Sequence, residues 1–175
     1  MDTKHNTVKE WNFDLSWAYT DISRKLKQYT NNEYILVFPF CSKKHLNKKW
    51  PYFKDLILKI KNHYKNKYSL LIVPGPGEIE EAKKFNIKVI LEDGKSTSLN
   101  NLITYISKAK FIISNDTGPA HICSHLNKPG IVLFGSHTSP EKVSIETKNF
   151  VAIKSENLSN LSADVVMKKI INSLN

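Results

Sequence analysis

Apolar and polar positions alternate along this chain in blocks. Tyr34-Ile35-Leu36-Val37-Phe38 is continuously apolar, the pattern of a strand covered by helices on both faces. A polar, lysine-rich loop follows from Pro39 to Lys49. Pro51 then opens a helix with Phe53, Leu56, Ile57, Ile60 and Tyr64 on one face. Ser69 to Val73 reads as a second strand. Pro74-Gly75-Pro76-Gly77 breaks the chain, Glu78 to Phe85 reads as a short helix, and Lys88 to Leu91 as a third strand. Ser98 caps a helix with the stripe Leu99, Leu102, Ile103 and Ile106. Phe111 to Ser114, Gly130 to Phe134 and Phe150 to Ile153 supply the remaining strands. Ser162 caps a C-terminal helix that turns Val165, Val166, Ile170 and Leu174 inward.

This alternation of strand and helix predicts an α/β fold, a doubly wound parallel sheet of Rossmann-like topology with right-handed crossovers, over residues 34–175. Residues 1–33 read as a linker or appendage. Within them Trp11, Phe13, Leu15, Trp17 and Tyr19 are spaced by two, which predicts an extended segment with one apolar face.

Composition narrows the function classes. A chain of 175 residues suits one domain with a real core. No apolar run is long enough to span a bilayer, and the first residues lack the apolar centre of a signal peptide. Cys41 and Cys123 show no metal-type spacing, so a reduced cytoplasm is expected, with the basic surface allowing a peripheral position at the inner membrane. The formal net charge of +10 invites a nucleic-acid reading. Yet Arg24 is the only arginine, and geometric recognition of phosphates and bases favours arginine forks. No nucleic-acid partner is expected.

The chemistry gathers at Asn115-Asp116-Thr117-Gly118-Pro119-Ala120-His121, between the fourth strand and a short helical pattern. Asp116 and Thr117 are turn and N-cap residues, and Pro119 suits a first helical turn. Free N–H groups at such a start attract anions, most often phosphate. With strand order 3-2-1-4-5-6 as a working assumption, the first and fourth strands are neighbours at the switch point, where ligands bind. The loop from Pro39 to Lys49, with its lysines and Ser42, then faces Asp116, Thr117 and His121. Glu78 lies beside them, where an acidic residue accepts hydrogen bonds from ribose hydroxyls. Neither G-x-G-x-x-G nor a Walker motif is present, which weighs against hydride transfer and P-loop hydrolysis. Taken singly, these residues have plainer readings: Asp116 as an N-cap, His121 as a half-buried histidine, Lys48 as a solvated lysine, and Glu78 as a carboxylate favoured by a helix dipole.

Together, and in this order, they resemble glycosyltransferase family 9, the lipopolysaccharide heptosyltransferases. The resemblance rests on Pro39, Ser42, Lys48, Trp50 and Pro51, on Gly75 to Glu78, on Ser114 to His121, and on Lys128 to Gly135. It implies one half of a two-domain B-type glycosyltransferase, the C-terminal half that binds the donor, an ADP-heptose or related nucleotide sugar. By the same resemblance Ser42 and Lys48 contact the donor diphosphate, Thr117 and Gly118 offer it N–H groups, Glu78 binds the ribose, and Asp116 and His121 lie towards the transferred sugar. The acceptor is a lipopolysaccharide core or lipid A, and no cofactor or metal is required.

The sequence departs from the family pattern at Phe40, where glycine is common, and at His137, which lengthens the loop after the fifth strand. The family's general base belongs to an N-terminal domain, and the 33 residues before Tyr34 are too few to form one. The chain is therefore expected to be incomplete for catalysis. It then acts with a separate acceptor-domain chain or serves as a non-catalytic binding module docking through its aromatic strip. A nucleotide-sugar epimerase is the third reading.

Overall fold

The computed structural model describes residues 14–65 and 67–174, with Lys43 described by its backbone alone. Six parallel strands form one sheet in the order β3-β2-β1-β4-β5-β6. They are β1 (Tyr34–Phe38), β2 (Ser69–Ile72), β3 (Lys88–Val89), β4 (Phe111–Asn115), β5 (Gly130–Phe134) and β6 (Phe150–Lys154). This is the doubly wound order assumed from the sequence. β1 and β4 pair in register, Ile35 with Phe111 through Phe38 with Ser114, so their carboxyl ends lie side by side.

The helices are α1 (Ser23–Tyr29), α2 (Phe53–Tyr64), α3 (Ile79–Ala82), α4 (Leu99–Lys108), α5 (Gly118–His125), α6 (Pro140–Val143) and α7 (Ala163–Leu174). Successive residues of a strand point to opposite faces, so the continuous apolar runs build two cores. Ile35, Val37, Phe111, Ile113, Ile131 and Leu133 pack with Trp50, α2 and α7 on one face. Leu36, Phe38, Ile112, Val132 and Phe134 pack with α4 and α5 on the other.

Several expectations are corrected. Leu15 to Ala18 are not extended, and the extended backbone resumes only at Tyr19. The Asp14 carboxylate accepts the Ser16 N–H and starts a 3₁₀ turn over Ser16–Ala18, which buries Ala18 and leaves Trp17 77% exposed. Trp11 and Phe13 lie outside the described residues. Asp21 starts α1 in the same way, and Ile22 is buried in the second core. The loop after β1 tightens into a 3₁₀ stretch over Lys43–Lys48. The segment from Glu78 to Phe85 divides into α3 and a 3₁₀ turn over Lys83–Phe85, and the left-handed Asn86 ends it after Phe85, as expected. β3 stops at Val89, although the Ile90 N–H still reaches Ile72 O. Leu99 and Val165 face solvent, each at the start of its helix and off the buried stripe.

Candidate functional site

Asn115 sets the geometry. It ends β4, is fully buried, and uses both ends of its amide: Nδ2 donates to Pro39 O at 2.8 Å, and Oδ1 accepts the Trp50 N–H at 3.2 Å. The loop after β1 is thus tied to the end of β4. Trp50, also buried, anchors the far side of that loop through an indole N–H donated to Leu161 O. The arrangement delivers Lys48, two residues before Trp50, to Asp116, one residue after Asn115.

Asp116 is 3% exposed at its side chain. Lys48 Nζ donates to Oδ2 at 2.7 Å, and His137 Nε2 lies 3.0 Å from the same oxygen. His121 Nε2 stands 3.7 Å from Oδ1, an electrostatic contact too long for a hydrogen bond. Burial opposes ionisation of Asp116, but His121, Lys48 and His137 outweigh it and hold the carboxyl well below the usual range. Asp116 is therefore an ionised, buried anion rather than an N-cap. The N-cap position of α5 belongs to Thr117, whose side chain makes no capping bond.

Beside this cluster a cleft of about 370 Å³ opens at the carboxyl ends of β1, β2 and β4. Ser42, Glu78, Thr117 and Gly118 line it, with Phe40 and Leu99 on its apolar side. The N–H groups of Thr117 and Gly118 donate to no protein acceptor among the described residues, whereas the Ala120 N–H already turns back to Thr117 O. Such a free pair at a helix start is an anion cradle. Gly118 suits it because a Cβ there meets nothing within 4 Å, so the approach is open.

Glu78 closes its own turn. Its Oε2 accepts the Gly75 N–H at 2.7 Å, and Gly77 between them takes φ +81°, the left-handed region that favours glycine. Burial, helped by the nearby Glu81 charge, pushes the Glu78 carboxyl up against the downward pull of the Gly75 N–H and Lys49. Phe40 is buried against the edge of Phe85 and narrows the cleft with an aromatic wall.

The predicted residues thus fall into two adjoining groups. Ser42, Glu78, Thr117 and Gly118 share the cleft. Lys48, Asp116 and His121 form the charged cluster next to it. The structure adds His137 to the cluster and gives Trp50 the anchoring of the Lys48 loop. His137 carried a signal only as an insertion in the loop after β5, and nothing local pointed it at Asp116. Among the described residues no group of three or more His, Cys, Asp and Glu side chains is arranged to hold a metal ion.

A larger opening, of about 670 Å³, lies at the amino ends of β2 and β3 among Lys61, Lys65, Lys83 and Lys88. The carboxyl end of a doubly wound sheet is where its ligands bind, so the smaller cleft is the candidate. No helix among the described residues is long and apolar enough to cross a membrane.

Comparison with known proteins gives a consistent picture. The sequence model of "Glycosyltransferase family 9 (heptosyltransferase)" matches residues 3–171. Lipopolysaccharide heptosyltransferase 1 of Salmonella typhimurium is 39% identical over 75 residues, covering 42% of this chain and 23% of that protein. The structure of E. coli heptosyltransferase WaaC with ADP superposes with a TM-score of 0.69 at 24% identity, over 85% of this chain and 47% of the other. UDP-GlcNAc 2-epimerase from Methanocaldococcus jannaschii has the same fold, with a TM-score of 0.63 at 16% identity over 88% of this chain and 42% of that one. The match thus spans about a quarter of the curated relative and about half of the WaaC structure.

Proposed function

Since the chain belongs to glycosyltransferase family 9, we propose that it binds a nucleoside diphosphate sugar of the ADP-heptose type and serves transfer of that sugar to a lipopolysaccharide core or lipid A acceptor. One observation carries the reading. The open N–H pair of Thr117 and Gly118 lies beside the Lys48–Asp116 pair, at the switch point of the sheet. Thr117, Gly118 and Lys48 take the diphosphate, Ser42 supports it from the facing loop, and Glu78 takes the ribose at the other side of the cleft.

When the glycosidic bond breaks, negative charge builds on the leaving nucleoside diphosphate. A helix N-terminus and a lysine that are already oriented stabilise that charge without reorganising, and no metal ion is required. Asp116 and His121 lie towards the transferred sugar, where an ionised carboxylate accepts hydrogen bonds from its hydroxyls. In this reading the acceptor and the general base come from a second Rossmann-like unit facing the carboxyl edge of the sheet, in the same protein or in a separate chain. The place of work is the cytoplasmic side of the inner membrane.

Calorimetric titration with ADP, UDP and GDP tests the donor site. Saturable ADP binding is expected, weakened about tenfold or more by Lys48→Ala, as befits loss of a charged hydrogen bond to phosphate. No binding of any of the three by folded protein would overturn the reading. A second reading, a nucleotide-binding module acting through a partner chain without catalysis, is favoured by Trp17 and Tyr19, 77% and 45% exposed beside α4.

A further inference from the structure

Asp116 Oδ2 has two partners, and they differ in what else they can do. Lys48 is a quarter exposed at its side chain, and its partner Asp116 directly precedes Thr117 of the cleft lining. In the donor-site reading above, on which this inference rests, Lys48 also serves the diphosphate. His137 is 7% exposed and fixed in place. Its ring stacks on Phe134 with an interplanar angle of 13° and centroids 5.9 Å apart. Gly135 leaves the ring its room, since a Cβ there would stand 3.3 Å from His137 Nδ1 and 3.4 Å from Asn47 O.

An ionised carboxylate only accepts hydrogen bonds, so His137 Nε2 carries the proton on that contact. Nδ1 is buried and has no protein partner. A bare ring nitrogen tolerates that better than a buried N–H would, which is consistent with the proton sitting on Nε2.

As Lys48 turns its charge towards a bound diphosphate, Asp116 loses its shortest contact. A carboxylate 3% exposed cannot make up the loss from water, and His121 is 3.7 Å away on the other oxygen. His137 is the partner left within hydrogen-bond distance. We propose that His137 is a positioning residue of the donor site: it keeps Asp116 held through Oδ2 while Lys48 moves to the donor diphosphate, and so leaves Oδ1 facing the sugar. This gives a purpose to the longer loop after β5, which brings a rigidly stacked imidazole to a carboxylate that would otherwise depend on one mobile lysine.

A double-mutant cycle read by ADP calorimetry tests it. His137→Phe keeps a stacked ring and removes the N–H, and His137→Gln restores a donor. Asp116→Asn removes the charge that His137 holds. The expected results are a loss of ADP affinity of about tenfold for H137F, near wild-type affinity for H137Q, and no loss relative to D116N when H137F is added to it, because Lys48 is already released there. An equal loss from H137F in both backgrounds would reduce His137 to packing and overturn the proposal, as would unchanged affinity in H137F alone. Should H137F not fold, His137→Asn, whose amide is too short to reach Asp116, takes its place in the cycle. Absence of ADP binding by folded wild-type protein would instead defeat the donor-site reading, and the inference with it.

Discussion

Trp50→Ala is expected to cost about 4 kcal/mol of stability, the range for removing a buried tryptophan. For a chain of this size that is a fall in melting temperature of about 8–16 °C. The indole is 1% exposed, meets Phe53 edge-on with centroids 5.1 Å apart, and donates to Leu161 O at 2.8 Å. The substitution opens a cavity between β1, α2 and the segment before α7, and it orphans a buried carbonyl. It also loosens the loop that carries Lys48, so ligand binding should weaken along with the fold. Trp50→Phe, which keeps most of the volume and loses only the hydrogen bond, should cost about 1–3 kcal/mol. Urea unfolding and thermal melts of both variants check the pair. A fall of less than about 3 °C for the alanine variant would show that the site collapses around the gap.

Asp116→Asn is the second large effect, and it separates stability from binding. The side chain keeps its size, but Lys48 and His137 both present donors to an oxygen that has lost its charge. Removing one member of a buried pair costs about 3–5 kcal/mol, and partial hydration of Lys48 places the expected cost near about 3 kcal/mol, or about 6–12 °C.

The pH dependence has a definite sign. The Asp116 carboxyl is held below its ordinary value of 3.8 by His121, Lys48 and His137 against the opposing effect of burial, so its ionisation favours the folded state. That contribution is complete above the unfolded value and is lost as pH falls through it towards the folded one. The stability gap between wild type and D116N should therefore be constant near neutrality and narrow below about pH 4. A gap that stays constant to pH 2 would show that the charge is not what stabilises. Under the donor-site reading, affinity for ADP itself should hold or improve in D116N, because a carboxylate beside a diphosphate repels it and Lys48 is released.

How far the site could be read in advance depended on the distance over which each residue acts. The anion cradle at Thr117 and Gly118 is local: a strand end, a turn, a proline in the first helical turn and a free N–H pair all lie within seven consecutive residues. The facing of the loops after β1 and β4 followed from strand order, because alternating strands and helices leave few topologies open. The Trp11 to Tyr19 alternation misled where it can be checked. A carboxylate two residues upstream closed a 3₁₀ turn there, and the local hydrogen bond outweighed the period of two.

The parallel sheet, its two covered faces and the helix start at Gly118 were legible along the chain, because continuous apolar runs and turn residues act over a few neighbours. How the charges are shared was set by the assembled fold. Lys48, Asp116 and His137 are 68 and 21 residues apart in the pairs that join them. Their meeting depends on the Asn115 and Trp50 bonds that pull one loop onto another. It depends also on Phe134 and Gly135, which aim an imidazole across the end of the sheet. Burial turned an aspartate with the look of a helix cap into a buried anion with several partners, and burial is a property of the assembled fold rather than of any stretch of chain.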